Sequence, residues 1–572
     1  MQVILDRIHC APMKRCISFL FLIAIPLQAA SRLPVREPHV MVASVDAIAS
    51  RVGADIMKRG GNAVDAAVGV AFALAVTWPE AGNLGGGGFM LLRKADGSEE
   101  ALDYRERAPL AATRDMYLDA NGEIIKDASL VGYKAIGVPG TVAGLALAHK
   151  RHGKLPWADV VEPARKLAAD GFPVSQYLER SLAMKRIVER MKKFPESWRI
   201  FQRNGKPVLT GETFVQPELA ATLARIQKDP SDFYRGETAR RVVADMRANG
   251  GIVTVEDFAK YQPTVRKPLH GSYRGYDIIT MPPPSSGGIA LIEMLNMLEP
   301  TDVKALGWHS SQEVHTVVEV MRRAYADRAK YLGDADFVSV PATGLMSRAY
   351  AEQRRKDIDP SRATESKAVA TGEPARYESP QTTHFTIVDA EGNVVASTYT
   401  LNESFGSAVT APGTGFLLND EMDDFTSKPG VANTYGLIQG EANAIVPQKR
   451  PLSSMTPTIV MKDGKVVFAV GSPGGSTIIN TVLQTVVNVI DFGMNIQEAI
   501  DSPRFHHQWL PDRIEWEPFE FSRDTTEALA KMGHIFNEKP GQIGDAHAIA
   551  IAADGARLGA SDPRRGGVAV GW

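Results

Sequence analysis

The sequence predicts a mixed α/β (α+β) fold in which helices cover β-sheets, and three observations carry that prediction. Up to about residue 350, apolar residues recur mainly at helical spacing; from residue 382 onward two strong hairpin signatures appear; and no internal repeat or heptad run imposes another architecture. With 572 residues, 44% hydrophobic and 23% charged, the chain can bury a large core, and its length accommodates up to about four domains of ordinary size. Its 50 glycines and 35 prolines fall short of the share that marks disordered chains.

The first element is a leader. Met13, Lys14 and Arg15 precede an apolar stretch from Cys16 to Leu27, and Gln28-Ala-Ala-Ser31 supplies small residues. That is the order of a secretory signal peptide: positive end, about a dozen apolar residues, small-residue cleavage zone. The stretch is shorter than the roughly 20 residues a bilayer span needs, and Pro26 would break a helix near its end. We therefore expect residues 1–30 to be removed and the mature chain to be periplasmic or secreted, with no membrane span. Both cysteines, Cys10 and Cys16, fall in or before this leader. The mature chain then has no thiol for a disulfide, a metal or a nucleophile.

From Asp46 to Trp78 apolar residues repeat at helical spacing around Gly60-Gly61, and Asn62 with Asp65 has the pattern of a helix cap and its third-residue acid. Two packed helices are expected there. Further helices are expected around 157–169, 289–298 and 312–332. From about 351, starting with Arg354-Arg355-Lys356-Asp357, some thirty residues hold few large apolar groups and read as an exposed connector to 381. A hairpin then pairs Thr382–Val388 with Val394–Thr400, and a second pairs Thr456–Met461 with Val466–Val470 across Asp463-Gly464. A buried helix from Ile478 to Ile490 follows the Gly471-Ser-Pro-Gly-Gly475 loop.

Charge excludes one class of partner. Lys plus Arg number 64 against 66 Asp plus Glu, a net charge of −2, whereas nucleic-acid binders draw affinity from a basic excess. Gly85 to Gly88 lacks the Gly-Lys-Ser/Thr of a phosphate loop. His506-His507 are adjacent in sequence, so they do not share a helix face as metal-binding pairs at i, i+4 do. The basic run Lys185, Arg186, Arg190, Lys192 and Lys193 reads as a solvated helix face. No metal or other cofactor is expected.

One arrangement points to chemistry: a polar connector runs straight into a strand that begins with hydroxyl residues, Gln381-Thr382-Thr383. Were the bond before Thr382 cut, that residue would gain an α-amine with an ordinary pKa of about 7.7–8.0, able to take the proton from its own hydroxyl. On spacing alone, Thr-Thr at a strand start is ordinary β-propensity, and nothing physical favours Thr382 over Thr383.

Seven segments lie in the order and spacing of one known family. They are Asn83-Leu-Gly-Gly-Gly-Gly-Phe89, Asp103-Tyr-Arg-Glu106, Gln381-Thr-Thr-His384, Tyr399-Thr-Leu-Asn402, Asn419-Asp-Glu-Met-Asp-Asp-Phe425, Pro451-Leu-Ser-Ser-Met455 and Gly471-Ser-Pro-Gly-Gly475. From about residue 38 to its end the chain resembles the γ-glutamyltransferases (γ-glutamyltranspeptidases). The resemblance implies an N-terminal-nucleophile hydrolase with a four-layer αββα sandwich, made as a precursor that cleaves itself before its nucleophilic threonine. Here that is Thr382, giving a large subunit of 31–381 and a small one of 382–572 that stay together as a heterodimer.

The same resemblance assigns the other roles. Gly474 and Gly475 would present backbone N–H groups to the oxyanion, where glycine lets the backbone approach closely. Thr400 would orient the nucleophile. Arg105 would pair with the α-carboxylate of the substrate, joined by the hydroxyls of Ser453 and Ser454. Asn402, Glu421 and Asp424 would hold its α-ammonium, at the opposite end of a pocket that reads a zwitterion. Residues 428–443 would form a lid, with Tyr435 as its gating aromatic. Taken singly, each has a plainer reading: a loop, a surface ion pair, an acidic turn. The implied donors are glutathione and other γ-glutamyl compounds, with water, amino acids or dipeptides as acceptors. The rival readings are a cephalosporin (glutaryl) acylase of the same superfamily, and a non-catalytic exported binding homologue.

Overall fold

The computed structural model describes residues 31–371 and 383–572. The expected leader and Thr382 itself lie outside the described residues.

Two seven-stranded antiparallel sheets form the centre. The first runs in the order Val35–Glu37, Arg557–Ser561, His547–Ile551, Lys465–Gly471, Thr458–Lys462, Tyr276–Thr280, Leu269–Tyr273. The second runs Val568–Gly571, Met41–Ser44, Thr383–Val388, Val394–Thr400, Gly87–Arg93, Glu99–Asp103, Thr264–Arg266. Their facing sides share one apolar layer, in which Met41, Phe89, Leu91 and Val388 of the second sheet meet Ile279, Ile459, Ala469 and Ile549 of the first. The outer face of the second sheet, with Met90, Leu92, Phe385, Ile387 and Val395, packs on the helices Ala47–Lys58 and Ala63–Thr77. The outer face of the first, with Ile278, Val460, Phe468 and Val470, packs on the helices Gly287–Leu298, Ser311–Tyr331 and Ile478–Ile490. The layers are therefore helix, sheet, sheet, helix, as the family resemblance implies.

Because both faces of each sheet are covered, the inner strand Gly87–Arg93 carries an unbroken apolar run instead of alternating with polar residues. All of Phe89, Met90, Leu91 and Leu92 are buried, with successive side chains entering different layers.

The expected helices form with their boundaries close to those read from the sequence, and Asn62 with Asp65 makes a reciprocal capping box. Both hairpins form: Thr383 pairs with Tyr399 and Val388 with Val394 in one, and Thr458 pairs with Val470 in the other. The described part of the connector, to residue 371, is mostly exposed but has buried anchors. A helix over Arg348–Arg355 runs into it, Ala351 and Ser366 are buried, and Arg354 is buried against Asp327 at 2.8 Å. Arg354 looked exposed like its neighbours Lys356 and Asp357, which are, because composition does not show a buried carboxylate waiting elsewhere in the chain. Among the described residues no helix is long and apolar enough to cross a membrane.

Candidate active site

Strand Val394–Thr400 runs between Thr383–Val388 and Gly87–Arg93, so its end at Thr400 is held from both sides. Asn83 Nδ2 donates to the Thr400 carbonyl at 2.8 Å, while Asn83 Oδ1 accepts from Gly86 N at 2.9 Å. A Cβ on Gly86 would lie 1.8 Å from that same carbonyl oxygen. The glycine run therefore lets one strand start press against the end of its neighbour, a packing role with no phosphate involved.

After Thr400 the chain turns sharply. Asn402 sits at φ +79°, a conformation asparagine tolerates better than most residues, and its N–H donates to Thr400 Oγ1 at 2.8 Å. Across the gap, the loop before helix Ile478–Ile490 places Gly474 at φ +131° and Gly475 at φ +70°. A Cβ on Gly474 would fall 2.5 Å from Thr477 Oγ1 and 3.0 Å from Gly544 Cα, so the tight loop needs glycine there.

Thr400, Asn402, Tyr435, Gly474 and Gly475 all line one cavity of about 250 Å³. The other five described candidates do not line it and are fully buried. Arg105 donates to Glu421 and, at 2.5 Å, to Asp424. It also donates through Nε to the Pro451 carbonyl and through Nη2 to the Leu452 carbonyl, each at 3.1 Å, which puts it beside the segment carrying Ser453 and Ser454. The Ser454 hydroxyl in turn accepts from Arg328 at 3.4 Å. Cation and anion sites expected at opposite ends of a pocket are thus in direct contact in the free protein.

Charge in this cluster is unbalanced. A third carboxylate, Glu106, lies 3.5 Å from Arg105, and it too is fully buried. Its presence in the Asp103-Tyr-Arg-Glu106 segment was visible in sequence, but nothing there marked it as part of the site. Burial raises Glu106 to about 7, and it lifts Glu421 and Asp424 well above the usual carboxylate range, although Arg105 pulls all three down. Glu421 Oε2 and Asp424 Oδ1 are buried with no hydrogen-bond donor. Such a cluster favours the arrival of another cation.

The loop 428–443 covers this region. The Tyr435 hydroxyl donates to Asn402 Oδ1 at 3.0 Å, Gln508 Nε2 donates to the Tyr435 carbonyl at 3.1 Å, and Thr434 N donates to Asp423 Oδ2 at 3.3 Å. Asp423 itself is raised to about 7 by burial and accepts from Ser129 at 2.6 Å.

Other histidines are occupied structurally. His506 bonds Asn480 and Gln508, and His507 faces Asp512 at 3.3 Å. Elsewhere His315, Glu319 and His534 bring ligand-type atoms within 4.8 Å of one another. Glu319 is already held by Arg323 at 2.6 Å and Arg322 at 3.2 Å, and the two imidazoles are hydrogen-bonded to each other at 2.8 Å.

Comparison with known proteins agrees with this architecture. Residues 49–572 match the family model described as Gamma-glutamyltranspeptidase. A glutathione hydrolase proenzyme of Escherichia coli (strain K12) is 51% identical over 532 residues, covering 93% of this chain and 91% of that protein. The crystal structure of cephalosporin acylase from Bacillus halodurans superposes with a TM-score of 0.83 at 29% identity, over 96% of this chain and 98% of that one. A Helicobacter pylori gamma-glutamyltranspeptidase chain gives a TM-score of 0.57 at 44% identity, covering 60% of this chain and 97% of its own. With the model match spanning most of its length, the chain belongs to the gamma-glutamyltranspeptidase family.

Proposed function

We propose that the protein is an exported γ-glutamyltransferase and glutathione hydrolase that matures by cutting its own backbone before Thr382, leaving subunits 31–381 and 382–572 together. The observation that carries this reading is the buried set of one guanidinium and three carboxylates, linked through the Asp420 carbonyl to Asn402, which shares a cavity with Gly474 and Gly475. A γ-glutamyl donor presents an α-carboxylate and an α-ammonium at one end and a reactive amide at the other. Its carboxylate takes Arg105, with Ser453 and Ser454 as further donors, and its ammonium takes the oxygens of Glu421, Asp424 and Asn402. Substrate binding then exchanges one set of ion pairs for another and adds the missing positive charge.

In this reading the reaction passes through a γ-glutamyl ester on Thr382. The Thr382 oxygen bonds to the γ-carbonyl carbon as its proton passes to the α-amine. The oxyanion is stabilised by the N–H groups of Gly474 and Gly475, and the amide nitrogen leaves with that proton. Thr400 orients the nucleophile. Water, an amino acid or a dipeptide then takes the γ-glutamyl group from the ester and restores the threonine hydroxyl. Tyr435 and its loop limit water during this second half.

Likeness to the Bacillus halodurans acylase raises the alternative of a glutaryl donor. Such an acyl group lacks the α-ammonium, and would leave Glu421 Oε2 and Asp424 Oδ1 buried and unpaired. The deciding experiment compares γ-glutamyl-p-nitroanilide with glutaryl-p-nitroanilide on purified protein whose subunits have been resolved on a denaturing gel. Two bands and preferential release from the γ-glutamyl compound support the reading. Preference for the glutaryl compound favours the acylase, and a single intact band without turnover favours a binding homologue.

A further inference from the structure

The cavity lined by Thr400 is also lined by Glu80 and Arg565, to which the γ-glutamyl reading gives no role. Tyr177 stacks on buried Trp78, ring centres 4.6 Å apart and planes 16° from parallel. The guanidinium carbon of Arg565 lies 6.0 Å from the centre of the Tyr177 ring. Its sequence neighbour Arg564 is pinned by Glu517 at 2.5 Å and Asp562 at 3.0 Å. Among the described residues Arg565 has no hydrogen bond or ion pair, and its Nε is buried without a partner. Arg565 thus lies over an aromatic pair, with Glu80 and Asp545 acting on its charge but no acceptor among the described residues taking a hydrogen bond from it.

Glu80 lines the same cavity as Arg565, Gly474 and Gly475. It is only 4% exposed; Oε1 accepts from Ser404 at 2.8 Å, and Oε2 has no donor. The other carboxylate on this rim, Glu403, is already paired with Arg186 at 2.5 Å. Both oxygens of Asp545 are also buried without a hydrogen-bond partner and act on Arg565 through charge, but Asp545 does not line the cavity. Among the cavity-lining residues beside the oxyanion loop, one guanidinium and one buried carboxylate oxygen thus lack a hydrogen-bond partner. Those are the complements of a carboxylate and an amine, the two ends of an amino acid or short peptide.

We propose that Arg565 and Glu80 form the subsite for the acceptor amino acid or peptide, Arg565 binding its carboxylate and Glu80 accepting a hydrogen bond from its amine. The proposal rests on the γ-glutamyl transfer reading above. In that step the uncharged acceptor nitrogen bonds to the ester carbonyl carbon, the bond from this carbon to the Thr382 oxygen breaks, and the proton lost by nitrogen ends on that oxygen. Glu80 takes no net proton; it aligns the N–H that stays. Water has no carboxylate, so this pair governs transfer and gives hydrolysis no comparable help.

The test uses γ-glutamyl-p-nitroanilide as donor and either glycylglycine or glycylglycinamide as acceptor. In the wild-type enzyme the acceptor KM for the free acid should be lower than for the amide by about tenfold or more, the scale of one charge-assisted pair. Arg565→Gln should raise the glycylglycine KM by a similar factor and leave the amide KM within about twofold, while Arg565→Lys recovers part of the loss. Equal KM values for acid and amide in the wild type overturn the proposal without any variant. So does an R565Q enzyme whose glycylglycine KM is unchanged, or one whose two acceptor KM values rise together. Failure of the underlying reading looks different, because the wild type would then release no nitroaniline with or without acceptor, and both proposals would fall.

Discussion

The Tyr435 hydroxyl donates to Asn402 Oδ1 at 3.0 Å, tying the loop that covers the cavity to a residue assigned to the substrate ammonium. The same amide donates through Nδ2 to the Asp420 carbonyl at 2.9 Å, next to Glu421. In the proposed function lid and ammonium site therefore share one side chain, so that moving the lid would change the lone pairs open to the substrate.

Tyr435→Phe keeps the ring and deletes only that hydrogen bond, worth about 0.5–1.5 kcal/mol. The ratio of transfer to hydrolysis should fall by about two- to tenfold, measured with γ-glutamyl-p-nitroanilide in the presence and absence of glycylglycine. An unchanged ratio would detach the lid from the partition between water and acceptor.

Arg105→Lys retains the charge but loses the planar fork that meets Glu421 and Asp424 together. Donor KM should rise by about a hundredfold, on the scale of about 3 kcal/mol for a disrupted buried charge pair. Arg105→Met leaves three buried carboxylates without their cation and should lower the melting temperature sharply, by about 3–5 kcal/mol in stability. A normal melting temperature for R105M would mean that the carboxylates are neutral and need no cation.

Glu106 supplies a pH signature. Burial holds its pKa at about 7 in the folded chain despite Arg105, against about 4.3 in an unfolded one. Between those values the folded form binds the extra proton, so stability declines as pH rises through that window, by at most about 4 kcal/mol. Asp423, raised to about 7 by burial, contributes a slope of the same sign. Glu106→Gln cannot titrate, so its melting temperature relative to wild type should climb from pH 5 to pH 8 in calorimetric scans. A flat difference would show that the Glu106 proton is not coupled to folding.

Gly474→Ala introduces a Cβ 2.5 Å from Thr477 Oγ1 at φ +131°. The loop must shift and its N–H groups lose their aim, and the loss of one oxyanion donor typically lowers kcat by about 10²- to 10³-fold. Donor KM should change little, because the ammonium and carboxylate contacts lie on other segments. A G474A enzyme with normal kcat and raised KM would move this loop from transition-state stabilisation to binding.

Much of the fold was legible from local pattern. The capping box at Asn62 and Asp65, the two hairpins and the Ile478–Ile490 helix depend on neighbours within a few residues, and period, caps and turns record these. The buried anchor of the connector was not legible, because Arg354 answers to Asp327 and the latter belongs to a different helix. Nor was the contact of Arg105 with Glu421 and Asp424, some 316 and 319 residues away. Motif resemblance named these residues, but it carries no distances and placed the opposite charges at separate ends of a pocket. Glu106, Glu80 and Arg565 were missed because the sequence signals charge without telling whether that charge is paired. Glu106 abuts Arg105 in an assigned segment, which was the one signal that could have found it.

The account stands on Thr382 becoming a new chain terminus. The most direct measurement is mass spectrometry with N-terminal sequencing of freshly purified wild-type and Thr382→Ala protein, alongside nitroaniline release from the same samples. The account predicts an active wild type whose smaller chain begins Thr-Thr-His, and a T382A chain that stays whole and inactive. Full activity in wild-type protein that still carries the Gln381–Thr382 bond would contradict it.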